Sequence, residues 1–360
     1  MPYLDANAAE PLRPAARAAL AAALDATGNP ASVHAAGRAA RLILENAREK
    51  LAARFGAQPA ELIFVSGGTE ADALALHAFG AGRPVIIGAT EHDAIRAAVP
   101  AATLLPVDRN GVADLDCLAR LLARGPPAFV ALMLANNETG VLGPVAEAAR
   151  LCRRLGAFLH VDAVAAAGRV AVDFARLGAA SMAISSHKLG GPPGAGALLV
   201  EATAAASFRP LIEGGGQERG RRGGTPPVAA IAGFAAAADD SLPELAPLRD
   251  RAEQAAVAAG AIVCGGGAPR LANTTQIALP GIKAETQVIS LDLAGVQVSA
   301  GAACSSGKVS ESHVLRAMGL GPLSGQAIRV SLPWNTKPAD IAHFASAYQE
   351  MARRLLRPAA

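Results

Sequence analysis

The stretch ELIFVSGGTEADALALHAFG, from Glu61 to Gly80, joins a short apolar run, a glycine turn and a segment of helical period. The apolar run Leu62–Val65 has the length of a buried strand, and the alanines and leucines after Gly68 recur at helical spacing. The stretch therefore predicts a strand that is followed directly by a helix, with glycines at the helix N-terminus.

The same strand–turn–helix order recurs along the first two thirds of the chain. It is found in Arg83–Val99, Ala128–Gly156, Ala157–Gly168 and Ala180–Glu201. This alternation predicts an α/β fold with a mostly parallel sheet flanked by helices. From about Asp239 a proline-containing linker leads into mixed strands and helices. We therefore expect a large domain over 13–240 and a smaller α+β domain formed by 1–12 and 241–360.

Composition excludes several classes of protein. The 360 residues are 52% hydrophobic and carry 33 basic against 30 acidic side chains, a net charge of +3, which rules out a disordered chain. Aromatics are only 3%, and the small excess charge is scattered, so a nucleic-acid partner is not expected. The apolar part of AAIAGFAAAADD at 229–240 is shorter than the ~20 residues that cross a membrane. The N-terminal stretch has an acidic residue and a proline near its start and shows no signal-peptide pattern. This predicts a cytoplasmic protein.

The four cysteines lie far apart, at Cys117, Cys152, Cys264 and Cys304. No CxxC or Cys/His spacing of a zinc site is present, so reduced thiols and no metal site are predicted. Cys304 lies in the small-residue stretch AGAACSSGK, where nothing large shields the thiol and Lys308 favours the thiolate. The other three lie in leucine-rich helices or beside a strand, which predicts core packing.

Polar residues follow the apolar runs, at the sheet edge where ligands of open α/β proteins gather. They are Ser66–Glu70, Glu91 with His92, Asn136–Glu138, Asp162, and Ser186–Lys188. Taken singly, each has a structural explanation: a turn, a cap, a core histidine, or an internal ion pair between Asp162 and Lys188. Together they match the needs of pyridoxal phosphate, namely a lysine, an acid beside the ring nitrogen, a phosphate cup and a planar group over the ring.

Motifs over nearly the whole chain extend this pattern. They include GNPAS (28–32), SGGTEAD (66–72), NNETG (136–140), HVDA (160–163), SSHKLGGP (185–192), GGGQERGRRGGT (214–225), SAGAACSSGK (299–308) and IRVSL (328–332). The chain thereby resembles the NifS/IscS-like cysteine desulfurases, class V aminotransferases among the fold-type I pyridoxal-phosphate enzymes. The resemblance implies a homodimer that converts L-cysteine to L-alanine. It also implies sulfur transfer, through a persulfide on Cys304, to an acceptor protein in iron–sulfur cluster or thiocofactor biosynthesis.

The resemblance also implies a role for each matching residue. Lys188 would form the Schiff base, and His92 would stack on the ring and transfer protons. Asp162 would face the pyridine nitrogen, and Asn137 would lie near the 3′ oxygen and the substrate. Arg329 would clamp the substrate carboxylate through its two-point guanidinium geometry. The phosphate would be held by Gly68, Thr69, Ser185 and His187, with Thr225 from the other subunit.

Ala165 is one of several positions that depart from the family pattern. Ala165 stands where a glutamine usually donates to the 3′ oxygen, and alanine cannot do so. We therefore expect altered activity, and three alternatives stay open: a selenocysteine lyase, another class V reaction, or a pyridoxal-phosphate-binding paralogue that acts as a partner or regulator. The loop 214–225 is expected to have few contacts within its own chain and many anion-seeking donors, which favours a role between subunits.

Overall fold

The structure of the protein is a computed structural model that describes residues 1–239, 244–301 and 311–356. Its larger sheet has seven strands. In chain order they are β1 Leu62–Val65, β2 Val85–Gly88, β3 Thr103–Leu105, β4 Phe129–Met133, β5 Phe158–Asp162, β6 Ser181–Ser185 and β7 Gly196–Val200. Their order across the sheet is β1-β7-β6-β5-β4-β2-β3. Only β7 runs antiparallel to its neighbours, so the prediction of a mostly parallel sheet is confirmed.

Helices cover both faces of this sheet. They are α1 Pro14–Leu24, α2 Ala35–Arg54, α3 Gly68–Gly80, α4 Asp93–Arg96, α5 Leu115–Ala123, α6 Val145–Arg154, α7 Phe174–Leu177 and α8 Val228–Ala238. On one face Leu51, Leu118 and Phe234 are buried in a common core. On the other face, α3 contributes Leu74 and Phe79 to a second core. The glycine turn at the start of α3 is therefore held against the sheet by apolar burial on its helix.

The C-terminal part of the chain forms a second, antiparallel sheet. Its elements are α9 Ala246–Ala258, β8 Ile262–Cys264, β9 Thr274–Ala278, α10 Ala284–Leu293, β10 Ser299–Ala300, α11 His313–Ala317, β11 Ala327–Ser331 and α12 Pro338–Leu355. The strand order is β10-β11-β9-β8. This sheet has a core of its own that includes Ile277, Leu291, Phe344 and Tyr348. The domain limits at 12/13 and 240/241 stay a prediction.

A segment near residue 5 connects the two sheets. Leu4 is buried in the core of the small sheet, and the Asp5 backbone pairs with Ser331 beside β11. A few residues later, the Glu10 amide donates to the carbonyl of His187, in the turn after β6. The segment therefore passes directly over the edge of the large sheet where the polar residues were predicted to meet.

Two further sequence predictions concern the cysteines and the membrane. Cys152 and Cys264 are buried, and Cys117 is half-buried against the same core as Cys152, which confirms their packing role. Over the three described ranges, no helix is both long and apolar enough to cross a membrane.

Candidate active site

A cavity of about 300 Å³ lies at the carboxyl edge of the large sheet. Its volume is at the lower end of the range for small-molecule sites. Eight of the predicted site residues line it: Gly68, Thr69, His92, Asn137, Asp162, His187, Lys188 and Arg329. Parallel strands end at the same sheet edge, so residues that follow separate strands meet here.

One end of the cavity suits an anion. Helix α3 begins there at Gly68, and no side chain caps its N-terminus, which leaves backbone N–H groups and the positive end of the helix dipole available. The turn packs tightly, because a Cβ on Gly196 would lie 2.7 Å from the Cα of Gly67. Ser185 Oγ is 3.0 Å from His187 Nδ1, so Ser185 stands behind His187 and orients its ring.

Asp162 ends β5 and points its carboxyl group into the cavity. Its Oδ1 accepts a hydrogen bond from the Val164 amide at 2.8 Å. Burial, and next the charge of Asp72, raises the pKa of Asp162 to about 7. Asp162 and Lys188 both line the cavity, so the acid and the amine that the sequence singled out meet at one site.

Lys188 lies in the short 3-10 turn that follows β6. Its ammonium group donates to the backbone carbonyl of Asn7 and, at 3.1 Å, to that of Ala8. The Asn7 side chain is itself held by Thr274 Oγ1 at 3.0 Å and the Asn137 carbonyl at 2.9 Å. Residues 7 and 8 therefore form a wall that holds the lysine amine. Sequence reasoning missed them because no strand or helix marks this segment.

Arg329 reaches the cavity from β11 of the small sheet. Its Nη2 is 2.6 Å from the carboxylate of Asp5, and its Nη1 donates to the Asn137 carbonyl at 3.1 Å. The Nε is buried and has no hydrogen-bond partner. Sequence reasoning missed Asp5, because its partner lies 324 positions away. Asp5 and the Asn137 carbonyl thus hold the guanidinium in place at the cavity.

His92 and Glu91 follow β2. The Nδ1 of His92 accepts from the Ala94 amide at 3.1 Å, which fixes the ring at the start of α4. Glu91 is fully buried: one carboxyl oxygen accepts from the Met133 amide at 2.8 Å, and the other has no partner. Burial raises the pKa of Glu91 well above its usual range. The sequence marked Glu91 but gave it no role.

Two predicted site residues lie away from the cavity wall. Ser185 is fully buried behind His187, and Thr225 is exposed on this subunit. The prediction that Thr225 serves a partner subunit stays a prediction. Cys304 lies outside the described residues. Ala165 lines the cavity and offers no side-chain donor there.

The loop 214–225 makes many contacts within its own chain, contrary to the expectation from the sequence. The Glu218 carboxylate accepts from both terminal nitrogens of Arg48, at 2.7 and 2.8 Å, and from the Phe64 amide at 2.9 Å. Arg222 pairs with Glu70 at 2.7 Å. The expectation of few intrachain contacts was wrong, since partners more than 150 positions away are not visible in a local pattern.

Comparisons with known proteins agree with this geometry. A family model described as aminotransferase class-V matches residues 2–344. An IscS-like cysteine desulfurase of Mycobacterium tuberculosis is 37% identical, over 95% of this chain and 93% of that protein. The cysteine desulfurase NifS of Azotobacter vinelandii is 38% identical, over 81% of this chain and 77% of that protein. A NifS-like protein from Rickettsia africae has a solved structure with a TM-score of 0.90 and 32% identity, covering 98% of this chain and 99% of that one.

The chain therefore belongs to the class-V aminotransferase family, in its NifS/IscS-like cysteine desulfurase branch. Enzymes of this family depend on pyridoxal phosphate. The predicted fold-type I transferase fold is confirmed.

Proposed function

We propose that the protein is a pyridoxal-phosphate-dependent cysteine desulfurase that converts L-cysteine to L-alanine. The sulfur would be held as a persulfide on Cys304 and passed to an acceptor protein in iron–sulfur cluster or thiocofactor biosynthesis. One observation supports this most directly: a single cavity brings together Asp162, Lys188, Arg329 and the uncapped N-terminus of α3. We also propose that the chain acts as a cytoplasmic homodimer.

The residues present fit the cofactor. Backbone N–H groups at Gly68 and Thr69, with His187, would hold its phosphate at the start of α3. Asp162 would face the ring nitrogen, whose positive charge would keep this otherwise easily protonated carboxyl group ionised. When bound through Lys188, the cofactor supplies an electron sink for the bond broken at the substrate Cα.

The chain's own residues would then bind and orient the amino acid and move its protons. Arg329 would bind the substrate carboxylate, because its side chain lines the cavity and Asp5 already holds its guanidinium in place. Lys188, once free, would accept the Cα proton, and the carbonyls of Asn7 and Ala8 would keep its amine at the cavity wall. His92, which also lines the cavity, would transfer a second proton.

Ala165 supports a second candidate, in which the protein binds the cofactor but acts as a partner or regulator. The cavity wall at this position carries a methyl group, so the donor that the family places there is missing. A lost hydrogen bond of this kind costs about 0.5–1.5 kcal/mol, which would weaken catalysis without preventing cofactor binding.

A spectrum followed by an assay tests the proposal. We expect a visible absorption band from the lysine-bound cofactor, and its loss in Lys188→Ala. We expect equal release of alanine and sulfide from cysteine with a reductant, abolished in Cys304→Ala and retained in the control Cys117→Ala.

Other results of these experiments would contradict the proposal or favour one of the alternatives. Absence of the band from the wild-type protein would overturn the cofactor assignment. Full turnover of selenocysteine by Cys304→Ala would favour the lyase, and a bound cofactor without turnover of any small amino acid would favour the regulator.

A further inference from the structure

A buried arginine holds the N-terminal segment that carries the partners of the lysine amine. Arg169 lies in the loop after β5, and its side chain is 5% exposed. Its Nη2 donates to the Ala6 carbonyl at 3.0 Å and is 3.1 Å from a carboxylate oxygen of Glu10. Its Nη1 donates to the Ala165 carbonyl at 3.0 Å. One guanidinium thus joins the loop after β5 to both ends of the segment 6–10, and the reaction proposed above gives it no role.

We propose that Arg169 is a positioning residue for the amine of Lys188, because it fixes the wall of residues 7 and 8 that holds this amine. Arg169 is absent from the wall of the candidate site, but it lines with Lys188 a separate cavity of about 10 Å³. Lys188 borders both cavities, so Arg169 lies behind it. The inference rests on the proposed function, in which this amine binds the cofactor.

The link from Arg169 to Lys188 runs through two adjoining peptide units. The Ala6 carbonyl accepts from Arg169, and the N–H of the same peptide unit donates to Ser331 Oγ at 3.0 Å. A peptide unit is planar, so these two hydrogen bonds fix its orientation. The next carbonyl, that of Asn7, accepts from the Lys188 ammonium. Only the two backbone dihedrals of Asn7 separate these carbonyls, so a shift of the first moves the second.

Glu10 fixes the far end of the segment. Its Oε1 accepts from the Trp334 amide at 2.6 Å, and its own amide donates at 2.9 Å to the carbonyl of His187, the residue before Lys188. Burial raises the pKa of Glu10 and lowers that of Arg169, as expected for two desolvated charges. A buried ion pair adds little net stability, because desolvation opposes the attraction. Its position on the lysine wall therefore favours a role in geometry.

The rate at which pyridoxal phosphate forms an imine with Lys188, with loss of water, tests the inference in the full chain freed of cofactor. We expect Arg169→Met to slow this reaction by about ten- to a hundredfold, since a displacement of ~1 Å can cost about that much. Stopped-flow absorbance measures the rate. Pyridoxine 5′-phosphate, which has the ring and phosphate but no aldehyde, should bind the variant and wild type equally. Arg176→Met, on an exposed side chain of α7, is the matched control and should react like wild type.

A double variant distinguishes positioning from charge compensation. Glu10→Gln combined with Arg169→Met removes both buried charges at similar side-chain size, and the glutamine oxygen can still accept from the Trp334 amide. If Arg169 only compensated the charge of Glu10, the double variant would recover the wild-type rate. We expect it to stay as slow as Arg169→Met, because methionine has no donor for the Ala6 carbonyl.

A wild-type rate in either variant would overturn the inference. Loss of pyridoxine 5′-phosphate binding in both variants would also overturn it, since Arg169 would then support the whole cavity and not the amine. If only Arg169→Met loses this binding, the rate of the double variant decides. A wild-type protein that binds neither compound would overturn the cofactor assignment itself.

Discussion

The ion pair of Arg329 with Asp5 decides how the site treats a substrate carboxylate. Arg329 is 3% exposed, and its position is fixed by Asp5 and the Asn137 carbonyl. A planar guanidinium held in this way can present a donor in a defined direction, which a lysine ammonium cannot do. In the proposed site, recognition of the substrate carboxylate would therefore depend on a contact between the N-terminal segment and the small sheet.

Arg329→Lys should raise KM for cysteine by about ten- to a hundredfold, which corresponds to roughly 1.4–3 kcal/mol, with a smaller change in kcat. Steady-state kinetics of sulfide release measures both constants. Arg316→Lys, on an exposed side chain of α11, is the matched control and should change neither. An unchanged KM in Arg329→Lys would remove Arg329 from the substrate site.

Asp162 should also make the stability of the cofactor-free protein depend on pH. Its pKa is raised from 3.8 to about 7 on folding, so the folded protein binds the extra proton between these values. The free energy of unfolding of the wild type, relative to that of Asp162→Asn, is therefore largest below about pH 4. It declines as pH rises, by up to about 1.4 kcal/mol per unit, until about pH 7. Urea unfolding at several pH values measures this difference, and a difference that grows with pH would contradict the burial of this carboxyl group.

At the scale of elements, the turn at 217–220 combines strain with a buried ion pair. Glu218 and Arg219 have φ of 49° and 58°, in the left-handed region that side chains other than glycine rarely adopt. Glu218 is compensated by Arg48 and by the Phe64 amide on the edge strand β1. Arg219 is exposed. The contacts of Glu218 therefore stabilise the turn in spite of its backbone strain.

Two substitutions by glycine distinguish the cost of the backbone strain from the contribution of the Arg48–Glu218 ion pair. Arg219→Gly relieves the left-handed strain and should change the free energy of unfolding by no more than about 1 kcal/mol. Glu218→Gly relieves the same strain but removes the two-point partner of the buried Arg48, which keeps only Glu45 and the Leu62 carbonyl, and should destabilise the protein by about 3 kcal/mol more. Chemical denaturation measures both values. Equal effects of the two substitutions would show that the ion pair contributes nothing.

Most strands and helices of the large sheet can be predicted from the single sequence, whereas contacts between distant residues cannot. The strands and helices of the large sheet follow from apolar runs and glycine turns, and the polar residues after them do meet in one cavity. The contacts of Asp5 with Arg329 and of Arg48 with Glu218 could not be predicted, since they join positions 324 and 170 residues apart. Asp72 was likewise missed because its pairing with His160 depends on how α3 packs over β5, which the helical period alone does not determine.

At the scale of the whole molecule, the exposed Thr225 raises the question of a second subunit. The loop before it is fixed on its own chain by Glu218 and Arg222, so Thr225 has a defined position on the surface. A fixed exposed hydroxyl beside a donor-rich loop suits a phosphate held at a subunit interface. The structure of one chain is consistent with this role.

We expect the protein to sediment as a dimer, and Thr225→Val, which keeps the side-chain shape, to weaken pyridoxal phosphate binding by about tenfold, or about 1.4 kcal/mol. Equilibrium dialysis measures this affinity. Thr203→Val, at an exposed position on the other edge of the sheet, should leave the affinity unchanged. A monomer with full cofactor occupancy would contradict the shared site.

The segment that joins the two sheets has a consequence for biosynthesis. The wall that holds the lysine amine is made by residues 7 and 8, and Arg329, which also lines the cavity, is paired to residue 5. A ribosome must therefore synthesise more than 320 residues between the two ends of this ion pair. This wall of the cavity can therefore form only after translation has passed β11, and a ligand that needs Arg329 would bind only after that point.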